Sequence, residues 1–109
     1  MNVDVLDPFY QQKLSVISVL NQVVDPELGI NVIDLGLIYD IKIQECPKEI
    51  ILTMTLSTPS CPVGGIIKAN VELVIKELFP EHAVVVLLVF EPRWTLEMVT
   101  ETGKAALGW

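Results

Sequence analysis

The sequence predicts a two-layer α+β fold in the order α-β-β-α-β-α, with a small three-stranded mixed sheet packed by helices. Three observations support it. Apolar residues recur at helical spacing in two segments, two adjacent segments alternate between apolar and polar residues, and a run from 83 to 90 is continuously apolar. A chain of 109 residues with 51% hydrophobic residues fits one core, so residues 1–109 are expected to form a single domain.

The first helix is predicted from about Pro8 to Val23. Asp7 suits the N-cap, and Pro8 suits the first helical position. The apolar residues at helical spacing are Tyr10, Leu14, Ile17 and Val24. Segment Asp25–Gly29 ends the helix, because the residue before a proline disfavours helical angles and a glycine permits a positive φ.

Two strands are predicted to form a hairpin. The first places Leu37, Tyr39, Ile41 and Ile43 on one face, and the second does so with Ile50, Leu52, Met54 and Leu56. A turn at Glu45–Lys48 joins them.

The second half of the chain is predicted to be helix, strand and helix. After the loop Ser57–Pro62, the residues Lys68, Glu72 and Lys76 mark the solvent edge of an amphipathic helix that ends at Pro80. Strand Ala83–Phe90 has no polar alternation, so we expect helices to cover one face and something else, a second subunit being one candidate, to cover the other. Thr95 is the predicted N-cap of a short last helix.

Composition and charge argue against several classes of function. The 14 acidic and 7 basic residues give a net charge of −7, and the basic residues are dispersed, which opposes nucleic-acid binding. No apolar stretch has the length of a membrane span. Asp4 and Asp7 occupy the region where a signal peptide carries basic residues, so we expect a cytoplasmic protein. Two cysteines are too few for a closed four-cysteine metal site.

Cys61 is the candidate functional residue. It precedes Pro62 at the start of the second predicted helix and suits the N-cap, where free backbone N–H groups and the helix dipole favour a thiolate. Gly64 and Gly65 cost about 1 kcal/mol each relative to alanine, and their lack of side chains would leave the thiolate accessible. The same residues also suit a structural role, in which Cys61 caps the helix or fills a small space and the glycines form a tight turn. The functional and the structural interpretation both remain open.

Two carboxylates are secondary candidates. Asp34 either forms a turn, with Gly36 at positive φ, or lies near Cys61 as an oxygen ligand or proton acceptor. Glu91 follows the third strand at the sheet rim, where sites gather but where solvated carboxylates are common.

The remaining candidates receive structural interpretations. Cys46, 15 positions from Cys61, is interpreted as incidental. His82 is interpreted as a surface residue, which weakens a cysteine-histidine nucleophile. Trp94 either anchors a partner or packs over the following helix, and Trp109 is undecided.

Four motifs together resemble the SufT/PaaD-type domain of iron-sulfur assembly accessory factors. They are Asp25–Glu27, Asp34–Tyr39, Met54–Pro62 and Glu91–Thr95, and the likeness runs from about residue 23 to residue 95. Glu91 stands where the family usually has aspartate, Arg93 where a second proline is common, and Gly64–Gly65 where bulkier residues are usual.

The resemblance implies a non-enzymatic factor, often dimeric, that helps to mature iron-sulfur proteins. The family's reactive cysteine corresponds to Cys61 and its Asp-Leu-Gly aspartate to Asp34, with Pro62, Gly64, Gly65, Glu91 and Trp94 as supporting residues. The expected cofactor is a transient iron or iron-sulfur cluster, with Cys61 as its main ligand and Asp34 and Glu91 as further candidate ligands. The expected partners are client proteins, assembly scaffolds or carriers, and a second copy of the chain.

Three hypotheses follow from the residues and the resemblance. In the first, Cys61 holds iron or a cluster transiently and passes it to a client, with other molecules completing the ligand set. In the second, the protein is an adaptor without metal, for example in the maturation of a multicomponent oxygenase. The lack of a cysteine-rich tail after Trp109 favours general assembly over that oxygenase role. The third hypothesis, a thiol-dependent enzyme, lacks an obvious base.

Overall fold

The computed structural model describes residues 3–58 and 63–108 of the 109-residue chain. The elements are, in chain order, α1 (Tyr10–Leu20), β1 (Val24–Asp25), β2 (Ile30–Asn31), β3 (Ile38–Glu45), β4 (Lys48–Met54), α2 (Gly64–Leu78), β5 (Ala83–Leu88), a 3₁₀ turn (Leu96–Met98) and α3 (Glu101–Leu107).

The central sheet has the strand order β3-β4-β5. Strands β3 and β4 form an antiparallel hairpin, whereas β4 and β5 are parallel and are joined through α2. The core face is set by the register, which aligns Ile43 with Ile50 and Val84, and Ile41 with Leu52 and Val86. The predicted mixed three-stranded sheet of an α+β fold is therefore confirmed.

The opposite face of the sheet is open along β5. Val85 and Leu87 are 37% and 47% exposed, and no helix among the described residues covers them. The strand also ends at Leu88 rather than Phe90. The expectation that a second subunit covers this face stays a prediction.

A small β1–β2 ribbon precedes the sheet and was not predicted. The Asp25 carboxylate accepts a 2.8 Å hydrogen bond from the Glu27 amide, and its carbonyl accepts one of 2.7 Å from the Gly29 amide. Gly29 has φ +71°, as expected. The turn that ends α1 therefore also folds the chain back into two paired strands.

Helix α1 is shorter than predicted and turned differently. It begins at Tyr10 with Phe9 as N-cap, so the predicted N-cap at Asp7 is wrong. The Asp7 carboxylate instead accepts a 2.7 Å hydrogen bond from the Phe9 amide in the preceding turn. Val16 and Leu20 are the buried residues of the helix, whereas Leu14 is 38% exposed, because the buried face lies about a quarter of a turn away from the predicted stripe.

Two further helix starts differ from the sequence prediction. Helix α2 has Val63 as N-cap, since the Val63 carbonyl accepts the 3.0 Å bond from Ile67, so the predicted N-cap at Cys61 is wrong. Thr95 is the N-cap of the 3₁₀ turn Leu96–Met98, as predicted for a short helix at this point, but the last α-helix begins later, with Thr100 as its N-cap. The Thr100 hydroxyl accepts a 3.0 Å bond from the Gly103 amide, whereas the Thr95 side chain makes no capping bond.

Within residues 3–58 and 63–108, no helix combines the length and the apolar character that crossing a membrane requires.

Candidate functional site

A cavity of about 330 Å³ lies where two parallel strands end. Residues 55–57 follow β4 and residues 90–94 follow β5, and the carboxyl ends of parallel strands meet at one sheet edge. The lining residues are Thr55, Leu56, Ser57, Phe90, Glu91, Arg93 and Trp94. The structure therefore brings the predicted residues Glu91 and Trp94 into one site.

The cavity combines apolar and charged groups. Thr55 is buried, whereas Phe90, Glu91 and Arg93 are exposed at the rim. Neither Glu91 nor Arg93 forms a side-chain hydrogen bond or an ion pair with another residue in the described part of the chain. Two opposite charges on one rim are therefore available to a ligand.

Two hydrogen bonds connect the rim of the cavity to the start of β3 and to the segment that precedes it. The Trp94 indole Nε1 donates a 2.6 Å bond to the Leu35 carbonyl oxygen. The Tyr39 hydroxyl donates a 2.7 Å bond to the Pro92 carbonyl oxygen. Residues 34–39, here called the clasp segment, thus fix both sides of Arg93. This partly buries Trp94 and supports its packing role over that of a free docking anchor.

Asp34 connects the clasp segment to the last helix. Its Oδ2 accepts a 2.8 Å hydrogen bond from the Asn31 side-chain amide, and its Oδ1 accepts one of 3.0 Å from the Thr100 hydroxyl. The Asp34 carbonyl oxygen also accepts a 2.8 Å bond from the Thr100 amide. Asp34 is not among the residues that line the cavity. Its role as a metal ligand stays a prediction, while its contacts are those of a structural residue.

Gly36 is required at the centre of the clasp segment. Its φ is +74°, the positive value predicted for this turn. A Cβ at this position would overlap the carbonyl oxygen of Met98 in the 3₁₀ turn. A side chain is thus excluded both by backbone conformation and by space.

The Tyr39 hydroxyl has an unusual electrostatic environment. Burial raises the pKa of the Tyr39 phenol above its ordinary value, and the nearby Glu91 charge raises it further, while a hydrogen bond with Thr55 opposes both. The phenol therefore keeps its proton and remains a donor to Pro92 well into the alkaline range.

The two glycines at the start of α2 differ in their surroundings. A Cβ on Gly64 would lie 2.6 Å from the Leu56 Cδ1 atom, whereas a Cβ on Gly65 would meet nothing within 4 Å. Leu56 lines the cavity, so Gly64 lets α2 approach the cavity wall closely. Gly65 has no such packing role.

Three sequence candidates lie outside the described residues: Cys61, Pro62 and Trp109. The role of Cys61 stays a prediction.

Cys46 and His82 lie at the opposite end of the strands from the cavity. Cys46 is exposed in the β3–β4 turn. His82, just before β5, is 8% exposed, so its interpretation as a surface residue is wrong. The turn after α2 places its ring edge-on against Phe79, with the ring centroids 5.4 Å apart, and its Nε2 lies 3.4 Å from a Glu45 carboxylate oxygen.

Sequence reasoning missed Thr55, Ser57, Phe90 and Arg93 as members of one site. The available signal was the connection between the second and third predicted strands. A helical connection makes those strands parallel when they are neighbours, so the residues that follow each strand converge.

The fold and the cavity define a small α+β protein with a mixed polar site at the carboxyl ends of two parallel strands. The chain belongs to the iron-sulfur cluster assembly protein family, whose sequence profile matches residues 13–87. The resemblance found in the four motifs is thereby confirmed.

Relatives and solved structures agree with this assignment. The chain is 38% identical over 96 residues to the Fe-S protein maturation auxiliary factor YitW of Bacillus subtilis, covering 88% of this chain and 93% of the relative. It is 38% identical over 89 residues to the Fe-S protein maturation auxiliary factor SufT of Staphylococcus aureus, covering 79% and 97%. A crystal structure of a DUF59 domain of unknown function from Bacillus anthracis matches with a TM-score of 0.81 at 34% identity, covering 87% and 90%.

Proposed function

We propose that this chain is a non-enzymatic maturation factor that holds iron or an iron-sulfur cluster transiently on Cys61 and passes it to client proteins in the cytoplasm. The observation that carries the proposal is the position of the cavity. It lies where the β4–α2 connection, which contains Cys61, leaves the sheet. The names of the relatives as Fe-S protein maturation auxiliary factors support the same role.

Transient holding follows from the number of available ligands. Iron-sulfur clusters are usually held by four cysteine thiolates, and this chain has two cysteines, one of them in the turn at the opposite sheet edge. The missing ligands must come from a client, an assembly scaffold or carrier, a small thiol or a second copy of the chain. A shared and exchangeable site suits transfer better than storage.

The two carboxylates predicted as ligands differ in their hydrogen-bond contacts. Glu91 lines the cavity with no side-chain partner in residues 3–58 and 63–108, so it remains available to iron. Both oxygens of Asp34 accept hydrogen bonds from Asn31 and Thr100. We therefore favour Glu91 over Asp34 as an oxygen ligand beside Cys61.

An adaptor without metal is the second candidate. The exposed apolar residues Val85 and Leu87 on β5 favour it, because contiguous exposed apolar residues mark protein interaction surfaces. A homodimer that buries this face is part of the same hypothesis. Sedimentation of the wild type against Val85→Lys tests it, since the variant should shift any dimer to monomer.

The carrier proposal is tested by replacing each cysteine separately. After anaerobic reconstitution with iron and sulfide, we expect Cys61→Ser to lose bound iron and the activation of an apo iron-sulfur client enzyme. Cys46→Ser is the matched control and should keep both, because Cys46 lies at the other end of the sheet. If Cys61→Ser activates the client as well as the wild type does, the carrier proposal is wrong and the adaptor survives. Turnover of a small substrate without a client would contradict both.

A further inference from the structure

We propose that the cavity binds a small zwitterionic thiol of about tripeptide size through Glu91 and Arg93. This inference rests on the proposed function, because the bound thiol would supply one of the further ligands that iron on Cys61 needs. All of the residues that line the cavity lie in the described part of the chain.

The cavity has the volume of a small-molecule site. At about 330 Å³ it lies at the lower end of the range of about 300–1,000 Å³ for small-molecule sites. An iron or sulfide ion would leave most of this space to water, so a small organic molecule fits the cavity better.

The charges select a zwitterion. Glu91 and Arg93 are opposite in sign, lie on either side of Pro92, and pair neither with each other nor with another described residue. An ammonium group can bind the Glu91 carboxylate while a carboxylate binds the Arg93 guanidinium, which presents two parallel N–H donors. A purely anionic ligand would face Glu91 unpaired, and the net charge of −7 adds to that cost.

The remaining lining groups complement the rest of such a molecule. The Ser57 hydroxyl can donate to and accept from peptide groups. Leu56 and Phe90 provide apolar contact for a methylene carrying the sulfur. Ser57 also precedes Cys61 by only four positions in the sequence, so the cavity and the cysteine belong to the same connection.

The rim is held in place before the ligand arrives. The hydrogen bond from Tyr39 holds the Pro92 carbonyl, and the bond to the Leu35 carbonyl holds the Trp94 side chain, so both neighbours of Arg93 are tethered. Pre-organisation of this kind reduces the ordering cost of binding. When the bound thiol ligates iron, its S–H proton passes to solvent and no electron is transferred.

The test uses S-methylglutathione, which keeps the ammonium group and both carboxylates of glutathione but cannot ligate as a thiolate. We expect saturable binding to the metal-free wild-type protein by calorimetry or NMR. Glu91→Gln and Arg93→Gln should each weaken it about tenfold, the usual effect of losing a charged hydrogen bond. Glu97→Gln, an exposed acid that does not line the cavity, is the control and should bind like the wild type. The proposal is overturned if the wild type shows no saturable binding or if both cavity variants bind as tightly as the wild type. It is also overturned if an uncharged blocked tripeptide binds equally well.

Two further measurements test the thiol and separate this proposal from the proposed function. Glutathione, but not S-methylglutathione, should prolong cluster retention by the wild type, and the Glu91→Gln/Arg93→Gln double variant should lose this effect. Equal effects of the two peptides overturn the thiol assignment. Cys61→Ser should still bind S-methylglutathione. Binding together with client activation by Cys61→Ser overturns the proposed function alone, whereas Cys61-dependent activation without binding overturns the cavity proposal alone.

Discussion

The indole Nε1 of Trp94 donates a 2.6 Å hydrogen bond to the carbonyl oxygen of Leu35, which lies 59 positions earlier in the chain. This bond joins two motifs that are distant in sequence, the clasp segment and the strand-end segment that lines the cavity. Five predictions test this arrangement.

Trp94→Phe should lower the free energy of unfolding by about 1 kcal/mol, because the Leu35 carbonyl loses its donor while most of the aromatic contact remains. Denaturant unfolding measures it. Leu96→Ala, an exposed residue in the 3₁₀ turn, should change stability by less than about 0.5 kcal/mol. Equal effects of the two substitutions would show that the indole bond contributes nothing.

Gly36→Ala should destabilise the fold by about 2–5 kcal/mol or prevent folding, since it adds a clash with Met98 to an unfavourable positive φ. Gly29→Ala is the matched control. Gly29 has φ +71° but a Cβ there meets nothing within 4 Å, so only the backbone cost of about 1–2 kcal/mol applies. Thermal unfolding compares the two variants. Similar losses of stability would show that Met98 can move aside without an energetic cost.

Tyr39 should make stability depend on alkaline pH. Its pKa is raised in the folded state, so its contribution is complete below the ordinary phenol pKa of about 10 and is lost as the pH rises through the folded value. Tyr39→Phe should cost about 1 kcal/mol at neutral pH and reduce the alkaline loss. Tyr10→Phe keeps the Tyr39 phenol and should keep that loss. An unchanged pH profile in Tyr39→Phe would contradict the prediction.

Asp34→Ala should lower the free energy of unfolding by about 1–2 kcal/mol, because Asn31 and Thr100 lose their acceptor. Iron retention by the folded variant should match that of the wild type, measured well below its unfolding temperature. Asp40→Ala, exposed on β3, is the control and should leave stability within about 0.5 kcal/mol. A folded Asp34→Ala protein that fails to retain iron would restore the ligand role predicted from the sequence.

The two glycines of α2 should respond in opposite directions. Gly65→Ala should stabilise the protein by up to about 1 kcal/mol, since alanine is the better helix former and the space is open. Gly64→Ala should destabilise it by about 1–3 kcal/mol by displacing Leu56. Client activation by Gly65→Ala should equal that of the wild type. A more stable but inactive Gly65→Ala protein would instead support the predicted role of this glycine in access to Cys61.

The fold could be predicted from local patterns, but the helix starts could not. The alternation in β3 and β4 and the apolar run in β5 are strong signals, because each side chain must face either core or solvent. A helix start depends on which of several polar side chains accepts a hydrogen bond from a free backbone amide in the first turn. Thr95 precedes the 3₁₀ turn and Thr100 precedes α3, and only the Thr100 hydroxyl accepts a capping bond, from the Gly103 amide.

The sequence alone determined the α+β class, the mixed sheet and the family, since these follow from periodicity and from motifs whose order along the chain can be read directly. It also singled out Glu91 and Trp94. Only the tertiary structure decided that the ends of β4 and β5 form one cavity and that Asp34 binds Thr100. Contacts across 59 to 66 positions depend on how the elements pack, and the helical connection between β4 and β5 indicates only that their ends converge, not which side chains meet.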